Sequence, residues 1–284
     1  MKDSSLRVLV TGGGGVVGRS VIRELRGKKD VNFNIISLDN YSTSKKIDDS
    51  KKILGVRYLD CDIARPYRKP DYKDKDGNMG LKRRPGRVFD NLLDCDLGQP
   101  ENYHKNGYKI GNPDIIIHCA ALTKTYDVAK NVDNFKEYQH VGDYPMDSLD
   151  ANVIGIKNML EFAIHGQHKE DIDRRNNERI TEFIGREWKN SKYAQVFYIS
   201  CMPKDDIYVD EYQFTKSLGE ELCKFYHRQF NLNVGIFCFK QDALFTEFSK
   251  YVVSMIGKDL KGKKYVFDSI FEREFIKDLT EISK

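Results

Sequence analysis

The sequence predicts an α/β fold built on a doubly wound parallel sheet, and three features of the chain point to it. Short apolar runs rich in Val, Ile and Phe recur at 7–10, 34–38, 56–59, 114–119, 195–200 and 233–239. Helical patterns occupy most of the intervals, notably 16–26, 147–164 and 211–229. The first apolar run leads directly into a glycine turn, Thr11-Gly-Gly-Gly-Gly-Val-Val-Gly18. Strands alternating with helices pair in parallel, because each helix carries the chain back along one face of the sheet.

The first strand, at Arg7 to Val10, ends in Gly12, Gly14, Gly15 and Gly18. Gly12 allows a tight turn, Gly15 lets the backbone approach a pyrophosphate, and Gly18 lets the helix pack close to the sheet. That helix, opening at Val16 and Val17, offers free N–H groups and a partial positive charge to phosphates. The sheet expected is therefore of the dinucleotide-binding, Rossmann type. The second run, Asn34-Ile-Ile-Ser-Leu38, ends in Asp39. A carboxylate there accepts hydrogen bonds from ribose hydroxyls and repels a 2′-phosphate, which favours NAD over NADP. The competing role is an acidic cap on the strand, and Lys45 and Lys46 just downstream leave NADP open.

Leu59-Asp-Cys-Asp62-Ile63 and Leu93-Asp-Cys-Asp96-Leu are near copies, and only one can end the third strand. Tyr58 and the preceding Gly-Val-Arg favour the first, so Asp62 rather than Asp96 is expected beside the adenine. Two segments interrupt the alternation. Residues 65–92 carry Pro, Gly and many Lys/Arg and read as an exposed excursion, while 166–194 read as a charged surface helix before the next strand.

With 284 residues the chain can hold one large α/β domain with a small appendage. Domain boundaries are expected at 1–239 for the dinucleotide-binding part and 240–284 for a reduced C-terminal substrate lobe. Charge is high and nearly balanced, with 47 Lys/Arg against 43 Asp/Glu, which argues against nucleic acid as the main partner. No run is long and apolar enough for a membrane span, and residues 1–11 read as the first strand rather than a signal peptide. The six cysteines form no CxxC pair and no metal-ligand spacing, so reduced thiols in a cytoplasmic protein without a structural metal are expected.

The chemistry is expected at Tyr212-Gln-Phe-Thr-Lys216. On a helix, residues four apart share a face. An ammonium beside a phenol stabilises the phenolate and makes the Tyr a usable acid/base. An ordinary amphipathic helix, with Tyr packed and Lys solvated, is the alternative for this pattern taken alone.

Taken in order, these motifs resemble the extended short-chain dehydrogenase/reductase family, the NAD-dependent nucleotide-sugar epimerases and dehydratases. Thr11 to Gly18 is similar to its TGGxGxxG, Leu38-Asp-Asn40 to its LDN, and Asp60-Cys-Asp62-Ile63 to its acidic turn at the adenine. Ile115-Ile-Ile-His-Cys119-Ala120-Ala121 resembles VIHLAA, whose alanines face the cofactor. Asn152-Val-Ile-Gly-Ile-Lys-Asn-Met-Leu-Glu161 resembles NVxGTxNLLE, Val196-Phe-Tyr-Ile-Ser200-Cys201 resembles VYxSS, and Tyr212 to Lys216 resembles YxxSK. The resemblance implies NAD held by the glycine turn with Val16 and Val17, and by Asp39, Asn40, Asp62, Ile63, Cys119, Ala120, Ala121, Ser200, Tyr212 and Lys216. It implies Tyr212 as acid/base, Lys216 as its tuner and ribose anchor, and Asn152 as support for the helix and proton relay. Arg273, in a segment similar to RDFIYVDDL, would pair with a substrate diphosphate. Lys240 joins it as a substrate candidate. A homodimer is implied through the helices of Asn152 and Tyr212, with Met159, Phe162, Ile164, Leu222, Phe225 and Tyr226 as apolar surface that would serve equally well as core.

The chain departs from the pattern in its substrate half. Cys201 stands where the family places a catalytic Ser or Thr, and a thiol is a weak donor. Ser200 could replace it only with a backbone shift. The link from Ser200 to Tyr212 is short, the family's LRxxNxYGP becomes Ile236-Phe-Cys-Phe-Lys240-Gln-Asp, and Met202 and Pro203 occupy the place of a dehydratase's extra acid/base groups, with Asp205 and Asp206 nearby. An epimerase or ketosugar reductase acting on a nucleotide-diphosphate sugar is thus expected ahead of a 4,6-dehydratase. The alternative of another class is a catalytically impaired NAD-binding sensor or scaffold.

Overall fold

The computed structural model describes residues 5–39, 52–60, 63, 72–73, 79–80, 113–122, 147–165, 193–201, 211–239 and 244–267. In chain order the elements are β1 (Leu6–Thr11), α1 (Val16–Gly27), β2 (Phe33–Asp39), β3 (Val56–Asp60), β4 (Tyr72–Lys73), β5 (Met79–Gly80) and β6 (Ile115–His118). A helical stretch follows in three pieces: α2 (Asp147–Leu149), a π turn (Asp150–Ile154) and α3 (Gly155–His165). Then come β7 (Gln195–Cys201), α4 (Glu211–Phe230), β8 (Val234–Phe239), α5 (Phe245–Ser254) and β9 (Lys264–Phe267).

Seven strands form one sheet in the order β3-β2-β1-β6-β7-β8-β9. Every neighbouring pair in it is parallel. The chain builds outward from β1 in one direction, then returns to build from β6 in the other, so the strand order reverses between β1 and β6. A doubly wound sheet opens a crevice at the carboxyl ends of those two strands, where ligands of such folds lie.

Both faces of the sheet are covered, which is why its strands read as continuous apolar runs rather than alternating ones. Val8, Val10, Ile35, Ile115, Ile117 and Phe197 pack toward α1 and α5. Leu9, Ile36, Leu38, Ile116, Val196 and Ile236 pack toward α3 and α4. Helix α1 buries Gly18, Val21, Ile22 and Leu25, the three- and four-residue spacing of one helical face. Each fully buried aliphatic side chain of this kind contributes about 1.5–3 kcal/mol.

The predicted strands and helices therefore form the predicted sheet. The structure adds what the sequence pattern did not flag. Residues 245–267, read as part of the small C-terminal lobe, supply α5 against α1 and β9 beside β8 as the seventh strand. Ser20 Oγ donates to Phe245 O at 3.1 Å and ties the two helices at their ends. Strand β9 was hidden because only Phe267 of its four residues is buried, so it lacks an apolar run. Within the predicted excursion, β4 and β5 form a short antiparallel pair; the rest of 65–92, and 166–192, lie outside the described residues. Among the described residues no helix is long and apolar enough to cross a membrane.

Candidate cofactor and active site

The glycine turn is shaped by backbone contacts. Gly12 adopts φ +69° and its N–H donates to Leu38 O at 2.7 Å, which pins the turn to β2. Gly15 N–H donates back to Gly12 O at 3.0 Å, and α1 begins as Arg19 N–H donates to Gly15 O at 3.0 Å. The three fingerprint glycines are needed for different reasons. A Cβ on Gly12 would lie 2.6 Å from the backbone of Ala120, and one on Gly18 would strike the backbone of Gly12 and Gly13. A Cβ on Gly15 would meet only Gly12 O, at 3.3 Å. Gly12 and Gly18 are thus required by the fold itself, whereas the open side of Gly15 is room for a ligand. Gly15 is also the N-cap of α1 and brings no capping side chain. With no side chain capping it, the first turn of α1 presents the positive end of its dipole to a phosphate. These features fit the pyrophosphate of a dinucleotide.

Asp39, at the tip of β2, accepts from Gly14 N–H through Oδ2 at 2.8 Å. The carboxylate expected at the ribose therefore also holds the glycine turn in place. Ile63 is buried, and its carbonyl accepts from Asn158 Nδ2 at 2.8 Å. Asn40, Asp62 and Asp96 lie outside the described residues, as do Lys45, Lys46, Lys240 and Arg273.

Across the crevice, the segment after β6 is stapled to both neighbours. Cys119 N–H donates to Thr11 O at 3.1 Å, and Ala120 N–H reaches Thr11 Oγ1 at 3.4 Å. Thr11 Oγ1 also pairs with His118 Nδ1 at 2.9 Å. Cys119, Ala120 and Ala121 are partly exposed along this edge, as cofactor-facing residues would be. Asn152, on the π turn, is buried: its Oδ1 accepts from Leu122 N–H at 2.8 Å. Its Nδ2 donates to Leu122 O at 3.0 Å and to Thr215 Oγ1 at 2.9 Å. Asn152 is a clamp between the β6 loop and the first turn of α4.

That first turn carries Tyr212, half-buried, and Lys216 one turn further on. Lys216 is only 2% exposed, which overturns the solvated-lysine alternative. Its Nζ donates to Ile199 O on β7 at 2.7 Å and lies 4.7 Å from the centre of the Tyr198 ring. Burial lowers its pKa from 10.5 to about 8, against the pull of Cys201, Cys119, Cys238 and Cys223. Cys119, Cys223 and Cys238 give an ammonium little help near neutrality, since burial pushes all three thiols up, Cys119 and Cys238 to about 12. His118, fully buried, is held well below its ordinary pKa by burial and by the Lys216 charge, so its ring is neutral. Cys201, at the end of β7, is partly exposed. Ser200 is buried, and its Oγ donates to Glu220 Oε1 at 2.6 Å. Its hydroxyl serves the α4–β7 contact.

Sequence reasoning did not single out Thr215, Glu220, His118 or Tyr198. One signal was available: Thr215, Lys216 and Glu220 are polar, yet they share the apolar spacing of Gly219, Cys223 and Tyr226 along α4. A helix face aimed at a sheet that keeps three polar residues marks a site.

Comparison with known proteins bears on this geometry. The model of the NAD dependent epimerase/dehydratase family matches residues 8–170, more than half the chain. The chain belongs to this NAD-dependent epimerase/dehydratase family. No curated protein matches it. Epimerase Mth375 of Methanothermobacter thermautotrophicus shares the fold, with 16% identity and a TM-score of 0.51 over 93% of this chain and 71% of that one. The enzyme WbmF of Bordetella bronchiseptica, solved with NADH, is 13% identical over 92% of this chain and 71% of that one, with a TM-score of 0.49. The family's cofactor, NAD, is the dinucleotide that the acidic tip of β2 favours.

Proposed function

We propose that this chain is an NAD-dependent epimerase of nucleotide-diphosphate sugars, or a reductase of the corresponding ketosugars. One observation carries the reading: a buried lysine stands one helical turn from the half-exposed Tyr212, at the same sheet edge as the glycine turn. A lysine is kept out of water at such a cost where its charge has work to do.

In this reading Tyr212 takes the proton of a sugar hydroxyl, and the Lys216 ammonium makes that transfer possible by favouring the phenolate. NAD, held at the glycine turn, would supply the hydride acceptor and donor for that sugar carbon. Asn152 keeps the loop after β6 and the Tyr212 turn in register through Leu122 and Thr215. Asp39 is assigned to the adenosine ribose and the first turn of α1 to the pyrophosphate, and Asn40 and Asp62 are assigned to the adenosine. Cys201 stands in for the hydroxyl that completes hydrogen bonding to the substrate, and its weak donation slows the proton transfer. Arg273 and Lys240 are assigned to the substrate diphosphate, and the 240–284 segment to its binding lobe.

The thiols Cys119, Cys201, Cys223 and Cys238, none in a disulfide, suit a reducing, cytoplasmic setting. A homodimer across the outer faces of α3 and α4 accompanies the reading. Met159, Phe162, Ile164 and Tyr226 are core residues, so the apolar surface on offer is Ile154, Phe214 and Phe225, 36%, 51% and 45% exposed.

The second reading, an NAD-binding sensor or scaffold, is favoured by Cys201 at the hydroxyl position and by the Ser200 hydroxyl held on Glu220. A 4,6-dehydratase is disfavoured by Met202 and Pro203. Calorimetric titration with NAD, NADP and a panel of UDP-, GDP-, CDP- and dTDP-sugars, with and without saturating NAD, separates these. NAD binding followed by binding and turnover of one sugar nucleotide is expected. NAD binding with no sugar nucleotide bound moves the protein to the sensor class, and failure of both dinucleotides to bind overturns the cofactor assignment.

A further inference from the structure

Behind Lys216 lies a buried aromatic assembly that the proposed chemistry does not use. Tyr198 is fully buried on β7, and its ring stacks on that of His118 with centroids 5.7 Å apart and planes at 25°. Its hydroxyl donates to the backbone carbonyl of Lys216 at 3.1 Å. Burial holds that hydroxyl protonated, so it stays a donor. A Cβ on Gly219 would collide with the Tyr198 hydroxyl, so the glycine one turn before Cys223 makes the room that this bond needs. The same ring carries the Lys216 ammonium over it at 4.7 Å, within the range at which the negative face of an aromatic ring attracts a cation. Behind Tyr198, His118 is fixed by Thr11, the last residue of β1 before the glycine turn.

We propose that Tyr198 is a positioning residue: it holds Lys216 at both ends, the backbone through its hydroxyl and the ammonium through its ring. The Thr11–His118 pair sets the ring itself, so the lysine is placed relative to the glycine turn. Tyr198 and Lys216 are both buried, and a buried ring face is among the few groups that attract an ammonium without demanding a second charge. The titratable groups around Lys216 are His118 on β6, Cys119 after it, Cys201 on β7, Cys238 on β8 and, on α4 itself, Cys223, Tyr212 one turn before the lysine and Glu220 one turn after it. Burial holds His118 and the Cys119, Cys223 and Cys238 thiols neutral near pH 7, while the Glu220 carboxylate is paired with Lys264 and Ser200. The Tyr198 ring and Ile199 O are the groups that meet the ammonium directly.

The proposal rests on the reading that Lys216 serves Tyr212, but its test needs no turnover. Tyr198 is replaced by Phe, 4-fluorophenylalanine and 3,4,5-trifluorophenylalanine, which keep ring shape while draining its negative face. Full-length protein carrying 13Cε-lysine is titrated by NMR, with the Lys216 resonance assigned from a Lys216→Arg sample. The Lys216 midpoint is expected to fall stepwise with fluorination, by about one pH unit across the series. A flat series in protein with unchanged far-UV dichroism overturns the proposal, because a merely packed ring would leave the midpoint in place. NAD binding is measured on the same samples: a sloping series in protein that binds no NAD keeps Tyr198 as the holder of Lys216 and removes the enzymatic reading.

Discussion

Replacing Lys216 by Met is expected to stabilise the protein near neutral pH while removing its function. The folded pKa of about 8 lies below the 10.5 of an exposed lysine because burial disfavours the charged form. At about 1.4 kcal/mol per pH unit, that difference is a stability deficit of about 3 kcal/mol wherever both states carry the proton. Met fills a similar volume without a charge, but it leaves Ile199 O without its donor, a loss of about 1 kcal/mol. The variant should therefore be about 2 kcal/mol more stable than the parent at pH 7. Between pH 8 and pH 10.5 the unfolded parent binds a proton that the folded parent does not, so parental stability rises with pH. The advantage of Lys216→Met should shrink by about 1.4 kcal/mol per pH unit in that window and vanish near pH 10. Urea unfolding of both proteins followed by far-UV dichroism at pH 7, 8.5 and 10 measures this, and titrating groups remote from Lys216 cancel in the difference. A difference that stays constant with pH, or a Met variant less stable at pH 7, would refute the desolvated-lysine account. A gain in stability coupled to loss of NAD or substrate handling is the trade expected where function keeps a charge in a dry place.

Three further outcomes follow from the site. Gly15→Ala should keep its melting temperature within a few degrees but lose at least about tenfold in NAD affinity by calorimetry, since the added methyl occupies ligand room, whereas Gly18→Ala strikes backbone and should cost about 1–3 kcal/mol of stability. Lys264→Met should cost about 3 kcal/mol in urea unfolding and Glu220→Gln clearly less, because the first leaves the 8%-exposed Glu220 carboxylate without its cation, while the second leaves a lysine that is 32% exposed and can reach water. Cys201→Ser should raise kcat on an accepted sugar nucleotide by about tenfold with little change in KM, since a hydroxyl donates a stronger hydrogen bond than a thiol where charge develops; an unchanged kcat would take position 201 out of the reaction.

The parts of the fold that sequence revealed are those where one residue type has one physical reason to be there. Gly12 and Gly18 were legible because no side chain fits between the strand, the loop after β6 and the helix, and the structure shows those contacts. The inner strands were legible because burial on both faces demands an apolar run. Strand β9 was not, since an edge strand of four residues with one buried side chain leaves no such run. Asn152 was visible as a motif position, but its clamp on Leu122 and Thr215 depends on a π turn that no spacing announces. Met159, Phe162 and Tyr226 show the same limit from the other side, since helical periodicity marks an apolar face without saying whether a sheet or a second protomer covers it.

Helix α4 concentrates that ambiguity and resolves it. A core-facing stripe is ordinarily apolar, yet this one turns Thr215, Lys216 and Glu220 toward the sheet before reverting to Cys223 and Tyr226. Each polar group there is answered by another element. Thr215 meets Asn152 of the π turn, Lys216 meets Ile199 and Tyr198 of β7, and Glu220 meets Ser200 of β7 and Lys264 of β9. Partners on three elements fix the rotation and height of the helix, and with them the placement of Tyr212 in its first turn. A helix held by apolar contacts alone could slide or turn by a fraction of a residue at small cost, because dispersion and burial are non-directional. Hydrogen bonds and ion pairs in a dry interior do not permit that. The polar stripe therefore sacrifices stability for angular precision at the one helix whose orientation decides where the phenol points.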